Sequence, residues 1–229
     1  MILHSHFDVA HLLGHSAFEH LAEAIKVYGH AKCNGLFNPA SHLWPECLSH
    51  GLSLQMLRKA ELEHCVQTVI LFQAMMEKVP YFVPSIGSGL APASQYAFAN
   101  TWVDLLLQIK DPTTQVAARA AFDNYNNEFY KAFRNPIVHG KEAGDIEKIK
   151  LIRVPGVYAG MCSGWRAYDY LLTEVFAPQQ THEPSWAVMC AAHEIPDVLN
   201  LNDYPDLVGL EMQFNNKHCD GFRGVAGNE

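Results

Sequence analysis

Phe133-Arg134-Asn135-Pro136-Ile137-Val138-His139-Gly140 closes one long helical pattern and precedes another. It sets an arginine and a histidine on either side of a proline. Asn135 is suited to cap a new helical turn and Pro136 to open it, because the first N–H of a helix has no intrahelical acceptor to lose. On an unbroken α-helix, residues five apart point about 140° away from each other. The spacing therefore predicts a break at Asn135-Pro136 that turns Arg134 and His139 toward one cleft. A fixed cation beside a side chain that titrates near neutrality suits work on a phosphodiester.

The segments around this stretch read as helices. Upstream, Asp111 and Pro112 form a cap and first position, and the helix they begin is expected to run to about Phe133, burying Val116, Phe122, Phe129 and Phe133. Before it, a helix from about Ala93 to Lys110 carries Phe98, Trp102, Leu105 and Ile109 on one face. Earlier still, Leu62, Cys65, Val69, Phe72, Met76 and Val79 mark the apolar face of a helix from about Leu52 to Val79, closed by Pro80 and Pro84. The first helix is expected from about Asp8 to Tyr28, with a seam of Leu3, Phe7, Ala10, Gly14, Ala17, Leu21, Ala24 and Tyr28, and with Gly29 as its stop. Cys33 to Gly51 reads as a loop, and glycine-rich Ser85 to Ala91 as a connector, since no G-K-[ST] follows it and no strand precedes it.

Downstream, a helix near Val157 to Phe176 has Val157, Met161, Trp165, Tyr168, Leu172 and Val175 in register. Gly160 and Gly164, four apart, leave room for a neighbouring helix to approach closely. After Pro178 no long periodic segment remains, although Trp186 to Ala192 and Leu207 to Phe214 are apolar enough to pack as short helices or strands. The expected class is all-α, an up-and-down bundle of about five main helices over residues 1–177, with an irregular, partly ordered appendage over 178–229 packed on the bundle or on a partner.

Of the 229 residues, 49% are hydrophobic, enough to bury a sizeable core rather than remain disordered. No apolar run approaches the roughly 20 residues of a membrane span. Met1 to Asp8 lacks the layout of a signal peptide. The six cysteines are scattered without a C-x-x-C pair, which suits reduced thiols and a cytoplasmic location. Trp44, Trp102, Trp165 and Trp186 read as core or interface residues. A formal charge of −8 disfavours non-specific binding to nucleic acid, yet it leaves room for a local cationic cleft. Lys131, Arg134 and Lys141 flank the motif, and Lys148, Lys150 and Arg153 follow. Lys131 and Lys141 are the candidate RNA contacts.

The run R-N-x-x-x-H-G after an amphipathic helix ending in phenylalanine resembles the signature of the HEPN superfamily. The motif covers Arg134 to His139, and the helical layout extends the likeness loosely over much of the chain. The resemblance implies a compact helical bundle, metal-independent endoribonuclease activity without a cofactor, and a homodimer in which two motifs line one composite cleft. It also implies a toxin-antitoxin or phage-defence setting, with an antitoxin or regulatory protein as partner. Some relatives carry a tyrosine two positions after the histidine as a target of nucleotide transfer. Here that position is Lys141, so this style of neutralisation is not expected.

The chemistry follows from residue types. RNA supplies its own nucleophile, the 2′-hydroxyl, so the protein need supply proton transfer and charge stabilisation. His139 is the candidate general base or acid, Arg134 the group that neutralises non-bridging phosphate oxygens, and Asn135 a group that orients phosphate or histidine. The expected product carries a 2′,3′-cyclic phosphate. Arg58 and His64 show a looser spacing of the same kind, but they stand about 240° apart on a continuous helix and are set aside. Two further readings belong to other classes. One is a non-catalytic interaction or scaffold module. The other is a metal-binding bundle built on His4, Asp8, His11 and His15, which share a helical face if the first helix starts early, His11 and His15 having the i, i+4 spacing of zinc ligands. Glu61-x-x-His64 matches half of a di-iron carboxylate signature, but a second such pair is absent.

Overall fold

The computed structural model describes residues 2–33, 47–82, 95–140, 143–176, 185–200 and Tyr204. Most of these are helical, with no strand among them. The first two helices, α1 (Ile2–Cys33) and α2 (Cys47–Lys78), are the longest and lie along each other. Both exceed their expected limits. α1 continues through Gly29, and α2 begins at Cys47 within the segment read as a loop and passes through Gly51. A single glycine costs a helix only about 1 kcal/mol, which neighbouring turns can offset. The seam of α1 is as read, with Ala10, Gly14, Ala17, Leu21 and Ala24 buried. The side chains of Leu3 and Tyr28 lie outside the described residues, as do the loop over 34–46 with Trp44, the connector over 85–91 and the segment Leu207 to Phe214.

The apolar face of α2 is buried as expected at Cys65, Val69, Phe72 and Met76. A 3₁₀ turn, Val79–Phe82, ends it. In an α-helix the Met76 carbonyl would accept from the N–H of residue 80, and that residue is proline. The indole Nε1 of Trp102 supplies a donor instead, at 3.1 Å. Trp102 belongs to α3 (Gln95–Leu106), and its companions Phe98, Leu105 and Ile109 are buried with it.

Helix α4 (Pro112–Tyr125) starts as its sequence dictates, the Asp111 carboxylate accepting from the Thr114 N–H at 2.7 Å. That bond holds the Asp111 carboxyl below the usual carboxylate range. Phe122 and Phe129 are buried and Phe133 is half-buried, but Val116 is 69% exposed, because with Arg119 and Ala120 it lines an open groove opposite Val103, Leu106 and Leu107 rather than a closed contact. The chain then widens into a π-helical stretch, Asn126–Arg134, and re-enters α geometry as α5 (Asn135–His139).

The remaining described helices are α6 (Ala143–Lys150), α7 (Val154–Leu171) and α8 (Trp186–Ala192), and π-helical Leu172–Phe176 extends α7. α6 is short and was not apparent in the sequence. α7 packs against α2 and α4, and here the two glycines matter. A Cβ on Gly160 would lie 2.6 Å from Phe129 Cβ, and one on Gly164 would lie 2.7 Å from both Phe72 Cε1 and Tyr125 Cδ2. Hydrogen at those positions lets Phe72, Tyr125, Phe129 and Trp165 meet in one aromatic core. α8 lies within the segment read as an appendage. Its Met189 and Cys190, with Ile195 beyond it, join the same core, and the Tyr158 hydroxyl donates to the Pro196 carbonyl at 3.0 Å. Among the described residues no helix is long and apolar enough to cross a membrane.

Candidate active site

The predicted break at Asn135-Pro136 does not occur. Arg134 (φ −63°, ψ −43°) and Asn135 (φ −63°, ψ −46°) are both in right-handed helical conformation, and no side chain caps the turn. Proline inside an α-helix loses one hydrogen bond and presses on the carbonyl four residues back. The π-helical turns relieve this conflict by shifting the register. The Asn135 N–H reaches back five residues to the Tyr130 carbonyl, and buried Pro136 follows where the winding is already widened. Asn135 is therefore not consumed as a cap, and its Oδ1 lies 3.5 Å from Arg134 Nη1. Gly140 ends the turn, its N–H donating to the Pro136 carbonyl at 2.9 Å.

Arg134 and His139 nevertheless meet. The length of the arginine side chain spans the angular gap, and Nη1 lies 2.7 Å from His139 Nε2. Because a guanidinium can only donate, Nε2 must accept, and the imidazole in this pose is neutral with its proton on Nδ1. His139 is exposed, whereas the Arg134 side chain keeps only 16% of its exposure. The guanidinium carbon sits 5.2 Å from the centre of the Tyr130 ring, a cation–π contact, while Nε is buried and has no hydrogen-bond partner among the described residues.

A second set of residues, from α2 and α4, completes the surroundings. Arg134 Nη2 donates to Glu77 Oε1 at 3.4 Å, from the last turn of α2. Gln73, one turn before Glu77, donates its Nε2 to that same oxygen at 3.0 Å. The buried Tyr125 hydroxyl donates in turn to Gln73 Oε1. Burial pushes the Tyr125 phenol well up, and that of Tyr130 up as well, so both remain un-ionised donors. A chain of contacts thus runs Tyr125–Gln73–Glu77–Arg134–His139, from the core to solvent. The only sequence signal for it is the polar pair Gln73 and Glu77 at i, i+4 beside the buried stripe of α2.

The cations expected to surround the motif are less concentrated than the sequence suggests. Lys131 is exposed and donates to Asn127 Oδ1 at 2.9 Å, while Lys141 lies outside the described residues. Lys148 pairs with Asp145 at 3.3 Å and Lys150 with Glu147 at 2.8 Å, both within α6. Arg153 reaches the Tyr204 carbonyl at 2.9 Å. The exposed lysine pairs are weak, so Lys148 and Lys150 stay available to a polyanion at modest cost, whereas Arg153 is half-buried.

The histidines of α1 make other partnerships. The side chain of His4 lies outside the described residues and Asp8 is exposed. His11 and His15 stack edge to face with ring centres 4.4 Å apart, and His15 Nδ1 lies 3.0 Å from His193 Nε2. His20 Nδ1 lies 3.2 Å from His64 Nδ1. Among the described residues, no group of three or more histidine, cysteine, aspartate and glutamate side chains is placed to hold a metal ion. Cys65, Cys162 and Cys190 are free thiols.

No protein family, curated protein or solved structure matches the chain.

Proposed function

We propose that the protein is a HEPN-like helical domain that cleaves RNA without a metal ion, using Arg134 and His139. The observation that supports this reading is the 2.7 Å contact between Arg134 Nη1 and an exposed imidazole, held on a helical scaffold. A phosphodiester entering the site takes the guanidinium donors, which neutralise its non-bridging oxygens as charge develops during attack by the 2′-hydroxyl. Losing Nη1 to the phosphate frees His139 Nε2 for proton transfer. Asn135, uncapped and within reach of the same Nη1, helps to orient the phosphate or the arginine. Lys131 offers a flanking positive charge.

The wider setting extends this reading. A toxin or phage-defence role, an antitoxin or other regulatory partner and a homodimer all come from the motif. Pairing two copies would bring two motifs together, although Arg134 and His139 already meet within one chain.

Purified protein incubated with a mixed RNA pool in excess chelator, beside His139→Ala, tests the reading. The expected result is cleavage by the parent alone, leaving 2′,3′-cyclic phosphate and 5′-hydroxyl ends. Cleavage by neither protein favours a scaffold module, and equal cleavage by both removes His139 from the mechanism.

A further inference from the structure

We infer that Glu77 is the general base that partners His139, so that a single chain carries a complete acid–base pair on either side of Arg134. This rests on the ribonuclease reading above. In-line displacement at phosphorus asks for two proton transfers. A base removes the proton of the 2′-hydroxyl, and an acid protonates the departing 5′-oxygen on the opposite side. One histidine alone meets half of this need at a time.

The geometry places a second group where it is required. Glu77 and His139 occupy opposite arms of one guanidinium, Glu77 on Nη2 at 3.4 Å and His139 on Nη1 at 2.7 Å. A phosphate that takes both arms, as arginine favours, replaces both partners at once and leaves them flanking the phosphorus. The Glu77 pair is long and its carboxylate is 44% exposed, so a doubly bonded phosphate can displace it. Glu77 stays oriented meanwhile, because Gln73 Nε2 holds Oε1 at 3.0 Å and the buried Tyr125 hydroxyl holds Gln73. Oε2 is left to face the substrate hydroxyl. Among the described residues, the titratable groups beside Glu77 are Arg134, which carries the fixed charge, and the phenols of Tyr125 and Tyr130, which burial keeps neutral.

The step balances within the site. The Glu77 carboxylate takes the proton of the 2′-hydroxyl as that oxygen bonds to phosphorus. His139 Nε2, released when Nη1 passes to the phosphate, takes up a proton from solvent, and as the bond from phosphorus to the 5′-oxygen breaks the leaving oxygen takes that proton from it. The products are a 2′,3′-cyclic phosphate and a 5′-hydroxyl; the imidazole is left neutral, as in its contact with Arg134, and the carboxylic acid gives its proton to water, which balances the proton that His139 took from solvent.

Glu77→Gln is the informative variant, since its amide oxygen can still accept from Gln73 and Arg134 while the basic group is gone. Parent, Glu77→Gln and His139→Ala are compared in chelator on the RNA pool across pH, with thermal unfolding as a check on folding. The parent should show a bell-shaped profile, its acid side set by ionisation of the base and its alkaline side by loss of the acid's proton. Glu77→Gln should melt like the parent, lose kcat by about 100-fold or more at little change in KM, and lack the acid-side limb. A variant that keeps both rate and limb overturns the role of Glu77 while leaving the ribonuclease reading intact. A parent that cleaves nothing overturns both. Mixing Glu77→Gln with His139→Ala should restore no activity, and recovery on mixing would assign base and acid to different chains instead.

Discussion

Arg134 and His139 are joined by a 2.7 Å contact along a helix that widens but never breaks. Since the arginine can only donate, this contact dictates the tautomer of the histidine. Long-range nitrogen–proton correlation spectra of the imidazoles, recorded where His139 is neutral, should place its proton on Nδ1. Arg134→Ala should erase that bias. Arg134→Lys should weaken it and, under the proposed mechanism, lower cleavage by about 100-fold or more, because an ammonium lacks the planar fork that holds His139 and phosphate together. An Nε2–H tautomer in the parent would show that the pair does not form in solution.

Trp102 and Pro80 offer a test of how α2 ends beside this site. The indole Nε1 donates to the Met76 carbonyl, the group that a proline at position 80 cannot serve. Trp102→Phe removes that buried donor and should cost about 1–3 kcal/mol. Pro80→Ala in that background restores a backbone N–H and should recover part of the loss. A denaturant series on the two single variants and the double variant measures the coupling, and strict additivity would show that the indole and the missing N–H are unrelated.

Much of the architecture could be read from periodicity, since buried side chains recur at helical spacing whatever their partners. Cys65, Val69, Phe72 and Met76 on α2, and Val157, Met161, Trp165 and Tyr168 on α7, are buried as their spacing implies. Val116 misled because it fits the stripe of α4, yet its exposure depends on how closely α3 approaches that face, and the two leave an open groove there that local sequence does not encode. The π-helical turns misled in a different way. A proline that reads locally as the start of a helix is accommodated by a register shift beginning ten residues upstream of it, at Asn126. Arg134, Asn135 and His139 could be named in advance because they lie within one short stretch of sequence. Glu77, Gln73 and Tyr125 could not, because their link to Arg134 exists only once α2 lies beside the end of α4.

Gly160 tests the close packing of α7. Adding a methyl group there meets Phe129 Cβ and Cδ2 at 2.6 Å each, and Cβ cannot retreat without moving the helix that carries the motif. Gly160→Ala gains about 1 kcal/mol of helix propensity but overpacks the core by about 1–3 kcal/mol, and more where backbone must shift. A net loss of about 2 kcal/mol should lower the melting temperature by about 4–8 °C. Gly144 on α6 is the control, because a Cβ there meets nothing within 4 Å. Gly144→Ala should leave the melting temperature unchanged or raise it slightly. Equal effects at the two glycines would contradict the packing described for α7.

The pair His15 and His193 predicts an acid sensitivity with a definite sign. Burial lowers both from the ordinary 6.5, and for His15 the nearby His11 and His193 add to the effect, while Glu19 opposes it for both. The 3.0 Å contact between His15 Nδ1 and His193 Nε2 needs one ring to donate and the other to accept, which two imidazolium ions cannot do. In the folded state these rings therefore resist protonation that the unfolded chain accepts freely. Between 6.5 and the lowered folded values the unfolded state binds more protons, so stability is full above 6.5 and declines as pH falls through that window. Thermal unfolding of the parent and of His193→Gln, compared from about pH 7.5 to about pH 5, isolates this contribution from that of the carboxylates. The glutamine keeps a hydrogen-bonding group at that position but does not titrate, so the variant should lose less stability on acidification than the parent. Parallel curves would mean that the two rings do not couple α1 to the segment after α8.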